Sequence, residues 1–562
     1  MRRCPPAIAL LALLAAACAR EEADPGVQSR PPAPAGAGAD SVVLVDVTAE
    51  SGIDFVHHTG SNYDYALPRI MGGGAAVFDA NGDGRPDLYL IAPAGANVLY
   101  LQGADGRFAD ATERSGLADE GYGMGCAVGD VDNDGDLDVY VTNWGPDVLY
   151  RNRGNGTFED VTERAGVATS GVSASATFLD YDRDGLLDLF VTRYVRFDPE
   201  RRCVQDGARR DFCGPAQFPG ESDVLYRNLG DARFADVSQE AGIRSLEDAG
   251  LGVVAADVDD DGWIDVYVAN DADPNHLWIN QRDGTFVEDG LLMGAALNRF
   301  GAAEAGMGVV AGDADADGDL DLFVTNLFEE SNTLYENDGA GGFLDATVER
   351  GLAVPSVGYT GFGTAFADLD NDSDLDLAMV NGAVKRRPSA LSPRADWPWA
   401  AYAEPNQILL NDGNGRYAEV TSGCGAFCAE IEISRGLIAA DLDADGDLDL
   451  VVTNLEGPTR IYRNEGAERR SWIQLRVVDP ELEREALGAR VKIVTAAAEL
   501  VRHVTPIGGY LTGGEALIHV GLGAEERVER YEVRWPGGEL ETFTGGPARR
   551  VVELRRGEGS AS

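Results

Sequence analysis

The sequence predicts an all-β chain: a seven-bladed β-propeller followed by a small all-β C-terminal domain. Three observations predict it. A nine-residue Asp-rich segment recurs seven times in phase. Each copy sits in the same succession of short apolar strands and Gly-rich turns. The acidic segments stop before Ser471, where a different alternating pattern begins. With 95 Asp+Glu against 46 Lys+Arg the formal net charge is −49, which excludes nucleic acid as an expected partner.

Taken in chain order, the N-terminus is an address. Arg2 and Arg3 precede the apolar run Ala7–Ala17. That run is shorter than the roughly 20 residues that span a bilayer, and small residues follow it, as in an export signal. The stretch LLAAAC resembles a bacterial lipobox, which makes residues 1–17 a signal peptide and Cys18 the lipidated first residue of the mature chain. The expected location is the bacterial outer membrane, periplasmic or cell-surface, or secretion if the lipobox fails. The lipid is then the one expected contact with a membrane. Residues 18–40, rich in Ala, Pro and Gly, read as a flexible tether.

Residues 41–466 hold the repeat. Its acidic segments start at Asp79, Asp130, Asp180, Asp257, Asp313, Asp368 and Asp441, roughly 50 residues apart with longer intervals after the third and the sixth. In each unit a small-residue strand enters the loop, a second leaves it, a third follows, and a turn leads to a fourth. CAVGD, LDVYVTN, DVLYRN and TFEDVT of the second unit are an example. Sheets this small bury their faces by radial packing, and the small residues of GGGAAVFD and GMGVVAGD suit a crowded axis. The fourth-strand pattern follows only six of the acidic loops, and its seventh copy stands in front, at Leu44–Thr48. The N-terminal strand is therefore expected to complete the last blade and remove a free edge. Alternating segments such as WIQLRVV, ARVKIVTA and VERYEVRW make residues 471–556 a separate β domain.

Calcium is the expected ion of the acidic loops. It is a hard cation that takes six to eight oxygens, and Asp at positions 1, 3 and 5 of a tight loop can turn three carboxylates inward around a Gly at position 6. Position 9 is always Asp and position 12 always apolar, so the loop leads into a core strand, unlike an EF-hand. The expected ligands are Asp79, Asn81, Asp83 and Asp87 in the first loop, Asp130, Asp132, Asp134 and Asp138 in the second, and Asp180, Asp182, Asp184 and Asp188 in the third. They continue with Asp257, Asp259, Asp261 and Asp265, then Asp313, Asp315, Asp317 and Asp321. Asp368, Asp370, Asp372 and Asp376 follow in the sixth loop, and Asp441, Asp443, Asp445 and Asp449 in the seventh. Two loops look weaker: the first has Asn81 at position 3, and the sixth has Ser373 in place of the turn Gly. The expected role is structural, up to seven Ca2+ with one stapling each blade.

Cys203 with Cys213 and Cys424 with Cys428 are expected disulfides of an oxidising compartment, and Cys126 a buried small hydrophobe. Strand order puts the acidic loops on one face and the loops between second and third strands on the other. Both long insertions are of the latter kind. The first brings Arg193, Arg201, Arg202, Arg209 and Arg210, and the second Arg386, Arg387, Trp397 and Trp399; Trp144, His57 and His58 are expected to share their face. Aromatics with Arg suit a glycan or a protein ligand, so a binding, adhesion or scaffold role is favoured. The alternative is a polysaccharide lyase or other glycan-active enzyme on the same face, with a His as base. No catalytic residue is assigned, because the His residues are scattered and the acids are committed to metal.

The acidic loops with their GxF-D-T neighbours resemble FG-GAP/VCBS repeats, the calcium blades also found in integrin α subunits. GARV at Gly488–Val491, GGYLTGGE at Gly508–Glu515, HVGLG at His519–Gly523 and VRWPGG at Val533–Gly538 resemble an ASPIC/UnbV domain. Together these motifs resemble the CRTAC family of cartilage-acidic-protein-like secreted proteins, over nearly all of the mature chain.

Overall fold

The computed structural model describes residues 42–561 apart from 61–64, 206–208, 388–390, 395, 421–423 and 467–469. The expected signal peptide, tether and lipidated Cys18 therefore lie outside the described residues. Among those described, no helix is long and apolar enough to cross a membrane.

The described residues form seven antiparallel meanders in succession, one for each acidic loop. The second is representative, with strands Tyr122–Gly129, Asp138–Trp144, Val148–Asn152 and Phe158–Asp160. Its acidic loop joins the first two strands, and the position-9 carboxylate opens the second. The last sheet is completed from the front of the chain: Leu44–Asp46 pairs antiparallel with Arg460–Asn464, so Leu44 is fully buried and the edge is covered. First strands of neighbouring blades touch all the way round, blade 7 against blade 1 included.

The axis is crowded for a reason the repeat does not contain. Thr512–Gly514, from the C-terminal domain, adds a parallel strand to Ala75–Val77 of blade 1. The loop before it descends into the channel. Leu511 N–H donates to Ser175 Oγ at 3.0 Å, Gly509 O accepts from Val253 N at 3.1 Å, and Tyr510 OH donates to Met71 O at 2.8 Å. A Cβ on Gly74 would lie 1.9 Å from Leu511 O, and one on Gly125 2.6 Å from Leu511 Cα. These inner-strand glycines make room for the plug rather than for one another.

The C-terminal domain packs Ser471–Asp479, Ile518–Gly523 and Arg550–Arg555 in one sheet, with Arg490–Val494, Glu499–His503, Arg530–Arg534 and Leu540–Thr544 in another. Ile473, Leu475, Val491, Ile493, Val520, Tyr531 and Trp535 form the core between them. Its last strand, Ser560–Ala561, runs past the Arg556 bound expected from the pattern.

At the opposite mouth the two insertions meet. Cys203–Cys213 closes the hairpin of the first, and Cys424–Cys428 staples the turn after blade 6; such bonds belong to an exported chain. Asp211 accepts from Tyr402 OH at 2.6 Å and from Arg386 N at 3.0 Å, while Phe212 stacks on Trp399 with centroids 6.1 Å apart. One apolar cluster runs along the axis from Tyr510 and Leu511 to Phe212 and Tyr402.

Candidate metal centres

Each acidic loop is shaped by its own carboxylates. The position-1 Asp accepts from the N–H at position 6, as in Gly135 to Asp130 Oδ2 at 2.9 Å, and the position-5 Asp from the N–H at position 7. The position-9 Asp takes one N–H from position 2 and one from the end of the third strand; Asp138 takes Val131 N at 2.9 Å and Asn152 N at 2.7 Å. These bonds curl the chain so that side chains of positions 1, 3 and either 5 or 9 converge. In loops 2 to 6 three such carboxylates have oxygens within 4.8 Å of one another.

The donor set fits a hard cation. Asp180, Asp257, Asp313 and Asp441, all at position 1, bury an Oδ1 that has no hydrogen-bond partner, as do Asp132 and Asp315 at position 3. A buried acceptor left unpaired costs about 1–3 kcal/mol, and a hard cation satisfies oxygens of this kind. Burial, reinforced by like charge, pushes Asp321 and Asp449 up to about 8, and Asp87 and Asp257 to about 7. Asp130, Asp180, Asp313 and Asp441 reach about 6, again chiefly through burial. Guanidinium groups lean on the outer carboxylates: Arg227 lies 2.7 Å from Asp182 and 3.2 Å from Asp184.

The two loops singled out above do differ. In the first, Asp79 accepts four backbone N–H groups, and Asn81 spends its amide N–H on Asp87 Oδ2 at 3.1 Å, so fewer oxygens are left over. In the sixth, Ser373 holds a left-handed φ of 88°. The loop is nevertheless the most enclosed, because Gly521 N donates to Asp368 Oδ2 at 2.9 Å and Arg470 Nη1 to Asp370 Oδ1 at 2.6 Å.

All seven loops meet the C-terminal domain. Arg484, buried, reaches Asn133 Oδ1 at 3.1 Å and Gly185 O at 3.2 Å; Arg534 approaches Asp257, Arg490 donates to Gly318 O, Gln474 to Asp441, and Glu515 accepts from Asp79 N. Neighbouring loops are also clasped directly. Gln102, Asn152, Asn228, Asn280, Asn337, Asn411 and Asn464, each ending a third strand, donate a side-chain N–H to the position-2 carbonyl of the preceding blade's loop at 2.7–3.2 Å. For blade 1 the preceding loop is that of blade 7.

On the other face the candidate residues separate. His57 and Arg193 belong to the interior and correct the expectation of a surface role. Burial holds His57 down at about 3, and Arg193 is 4 % exposed, pairing with Glu221 at 2.9 Å and Ser173 Oγ at 2.5 Å. Trp144 packs between Tyr122 and Phe197, Trp397 lies under Arg394, and Arg387 is paired with the buried Glu404. Arg386 lies over Tyr402 and Arg210 over Tyr65. Arg201, Arg202, Arg209 and His58 are exposed. Asn143, Asn270, Asn326, Asn381 and Asn454 cap turns, each donating to a carbonyl of its own loop.

Residues 79–141, 130–191, 257–324 and 320–379 match the FG-GAP-like repeat, and residues 479–561 match ASPIC and UnbV. The chain carries FG-GAP-like repeats and an ASPIC and UnbV domain. It is homologous to cartilage acidic protein 1: 28 % identical over 336 residues to that of Xenopus tropicalis, covering 57 % of this chain and 47 % of the relative. The Mus musculus protein is 29 % identical over 331 residues, covering 57 % and 46 %. The chain thus spans about half the length of the curated relatives it matches. Among solved structures, an Agrocybe aegerita lectin specific for non-reducing terminal N-acetylglucosamine aligns at TM-score 0.39 and 15 % identity, over 70 % of this chain and 92 % of the lectin. The rhamnogalacturonan lyase YesX aligns at 0.36 and 16 %, over 75 % and 76 %. Likeness at that level carries no argument about ligand or chemistry. In this FG-GAP-like protein the ASPIC and UnbV domain is the piece that covers the acidic face and fills the axis.

Proposed function

We propose that this chain is an exported calcium-binding propeller that serves as a rigid binding, adhesion or scaffold protein. Its ligand face is the one opposite the acidic loops, and its mature N-terminus is anchored at the outer membrane through Cys18. The observation that carries the calcium reading is the set of buried, unpartnered carboxylate oxygens repeated at position 1. Bound calcium supplies a charge that neutralises each loop. The chain's own residues then hold the loops in register through the Asn clasps and the Arg contacts of the ASPIC and UnbV domain.

The roofed channel favours binding over turnover. His57 is buried as a neutral ring and Arg193 is spent on Glu221, which leaves His58, exposed 3.7 Å from Glu456, as the base candidate at the surface and takes away the charge neutraliser a lyase would pair with it. The exposed Arg201, Arg202 and Arg209 remain available to an acidic glycan or protein. The test has two parts. Metal analysis of the dialysed protein should find calcium in several-fold molar excess over chain, and an array of acidic glycans and envelope proteins should give a hit that weakens with salt and with Arg201→Ser, Arg202→Ser and Arg209→Ser together. Metal-free protein with an unchanged melt rejects the calcium reading. A hit insensitive to the arginines moves the ligand to another surface.

A further inference from the structure

The seven blades are internal controls for one another, and on the outer rim two of them break the pattern. The helical turn after the fourth strand carries Glu113-Arg114 in blade 1, Glu163-Arg164 in blade 2 and Gln239-Glu240 in blade 3. In blade 4 the same positions are Leu291 and Leu292, and in blade 5 the first of them is Val348. The outward residue of the fourth strand is Ala or Glu in blades 1, 2, 3 and 6, but Leu344 in blade 5. With Phe300 in the link between the two blades and Val354 in the turn after blade 5, these side chains are 57 % to 85 % exposed.

They form one surface. The helix Gly290–Met293 lies against strand Phe343–Asp345, since a Cβ on Gly294 would stand 2.3 Å from Phe343 O. Beside Phe300, Arg299 N–H donates to Asp345 Oδ2 at 2.7 Å, and the Arg299 guanidinium pairs with Glu349 at 2.8 and 3.0 Å. Counting roughly 100 Å² for each side chain, the six present on the order of 600 Å² of apolar surface. That is the upper end of what a monomer normally leaves bare, and it approaches the roughly 800 Å² per partner of a standard interface.

We infer that this rim is the contact between two copies of the chain, related by a two-fold axis. Two other occupants fit less well. The tether, residues 19–40, has Val27 as its one large aliphatic residue and cannot cover the patch. An anionic bilayer finds no basic cluster at this rim, which is flanked by Glu288, Asp289, Asp345 and Glu349. A second copy matches both the size of the patch and its charges. Arg299 and Glu349, 35 % and 58 % exposed and paired with each other in the single chain, carry one charge of each sign, so a two-fold that passes beside them can exchange each onto its opposite on the partner.

The experiment is sedimentation velocity of the mature chain in calcium buffer, up to about 100 μM. The expected result is a monomer–dimer equilibrium. Leu291→Glu with Leu292→Arg, which restores the residues of blades 1 and 2 and so suits the fold, should weaken association by roughly 100-fold. Arg299→Glu and Glu349→Arg should each fail to self-associate, yet associate when mixed, because each variant then meets a complementary charge at both contacts. The inference is overturned by a wild-type chain that stays monomeric, by single variants whose mixture does not associate, or by a monomer that binds phosphatidylglycerol vesicles through the two leucines.

Discussion

Tyr510 offers the most direct test of how the ASPIC and UnbV domain is held. Its ring is fully buried in the channel, edge-on to Phe362 at 5.0 Å, and its hydroxyl donates to Met71 O at 2.8 Å. Tyr510→Phe removes one hydrogen bond and keeps the packing, a loss of about 1 kcal/mol. Tyr510→Ala also empties the space of a fully buried ring, a loss of about 4 kcal/mol. Opening of the plug can be read locally, by hydrogen exchange of the peptide 505–515 and of the Val253 amide that donates to Gly509 O. With tenfold for each 1.4 kcal/mol, exchange should accelerate about 5-fold in the first variant and about 1,000-fold in the second. If the plug peptide of the unaltered protein already exchanges as fast as free peptide, or both variants accelerate alike, the plug is not seated as described.

Three further outcomes are expected. Chelation should lower the melting temperature, and the pH trend should reverse with metal. Without calcium, Asp321 and Asp449 near 8 and Asp87 and Asp257 near 7 sit above the ordinary carboxylate value, so the folded state holds more protons than the unfolded one and its stability falls as pH rises from about 4 to 8. With calcium the melt should instead rise over that range as protons stop competing for the carboxylates; parallel trends would refute the assignment. Deleting residues 19–40 should leave the melt unchanged, whereas extending the deletion through Thr48 should uncover Arg460–Asn464 and cause aggregation seen by light scattering. Arg387→Ala should destabilise by about 3–5 kcal/mol in urea unfolding, because the fully buried Glu404 loses its ion-pair partner and keeps the Thr360 N–H, while Arg202→Ala should be neutral within error.

What could be read from the sequence was whatever repeats at short range. The phase of the Asp residues gave the loops and the small strands around them, and the displaced copy at Leu44–Thr48 gave the closing strand, because a missing element in a periodic series is itself a signal. The plug was illegible for the opposite reason. GGYLTGG is written like a turn, and what it binds is contributed by inner strands of blades 1, 2, 3 and 4, each distant in sequence. The third-strand Asn residues were equally silent: after LYR an Asn reads as the start of a turn, and its carbonyl partner lies in the preceding blade. The ligand-face residues were gathered by loop length and charge, a criterion that cannot distinguish Arg202 at the surface from Arg193 in the seam between blades 2 and 3.

The clasps from third-strand amides to preceding loops all point the same way round, and this makes the break in the backbone inconspicuous. At the seam between blades 7 and 1 the donor is Gln102, one methylene longer, reaching Leu442 O at 2.7 Å. Seen from the bonds alone, the wheel has no first spoke. What marks a beginning is the appended domain, which leaves from Asn464 and returns its loop beneath blade 1. A gene whose cut fell between two other blades would encode the same wheel, but it would have to carry that domain as an insertion rather than a tail.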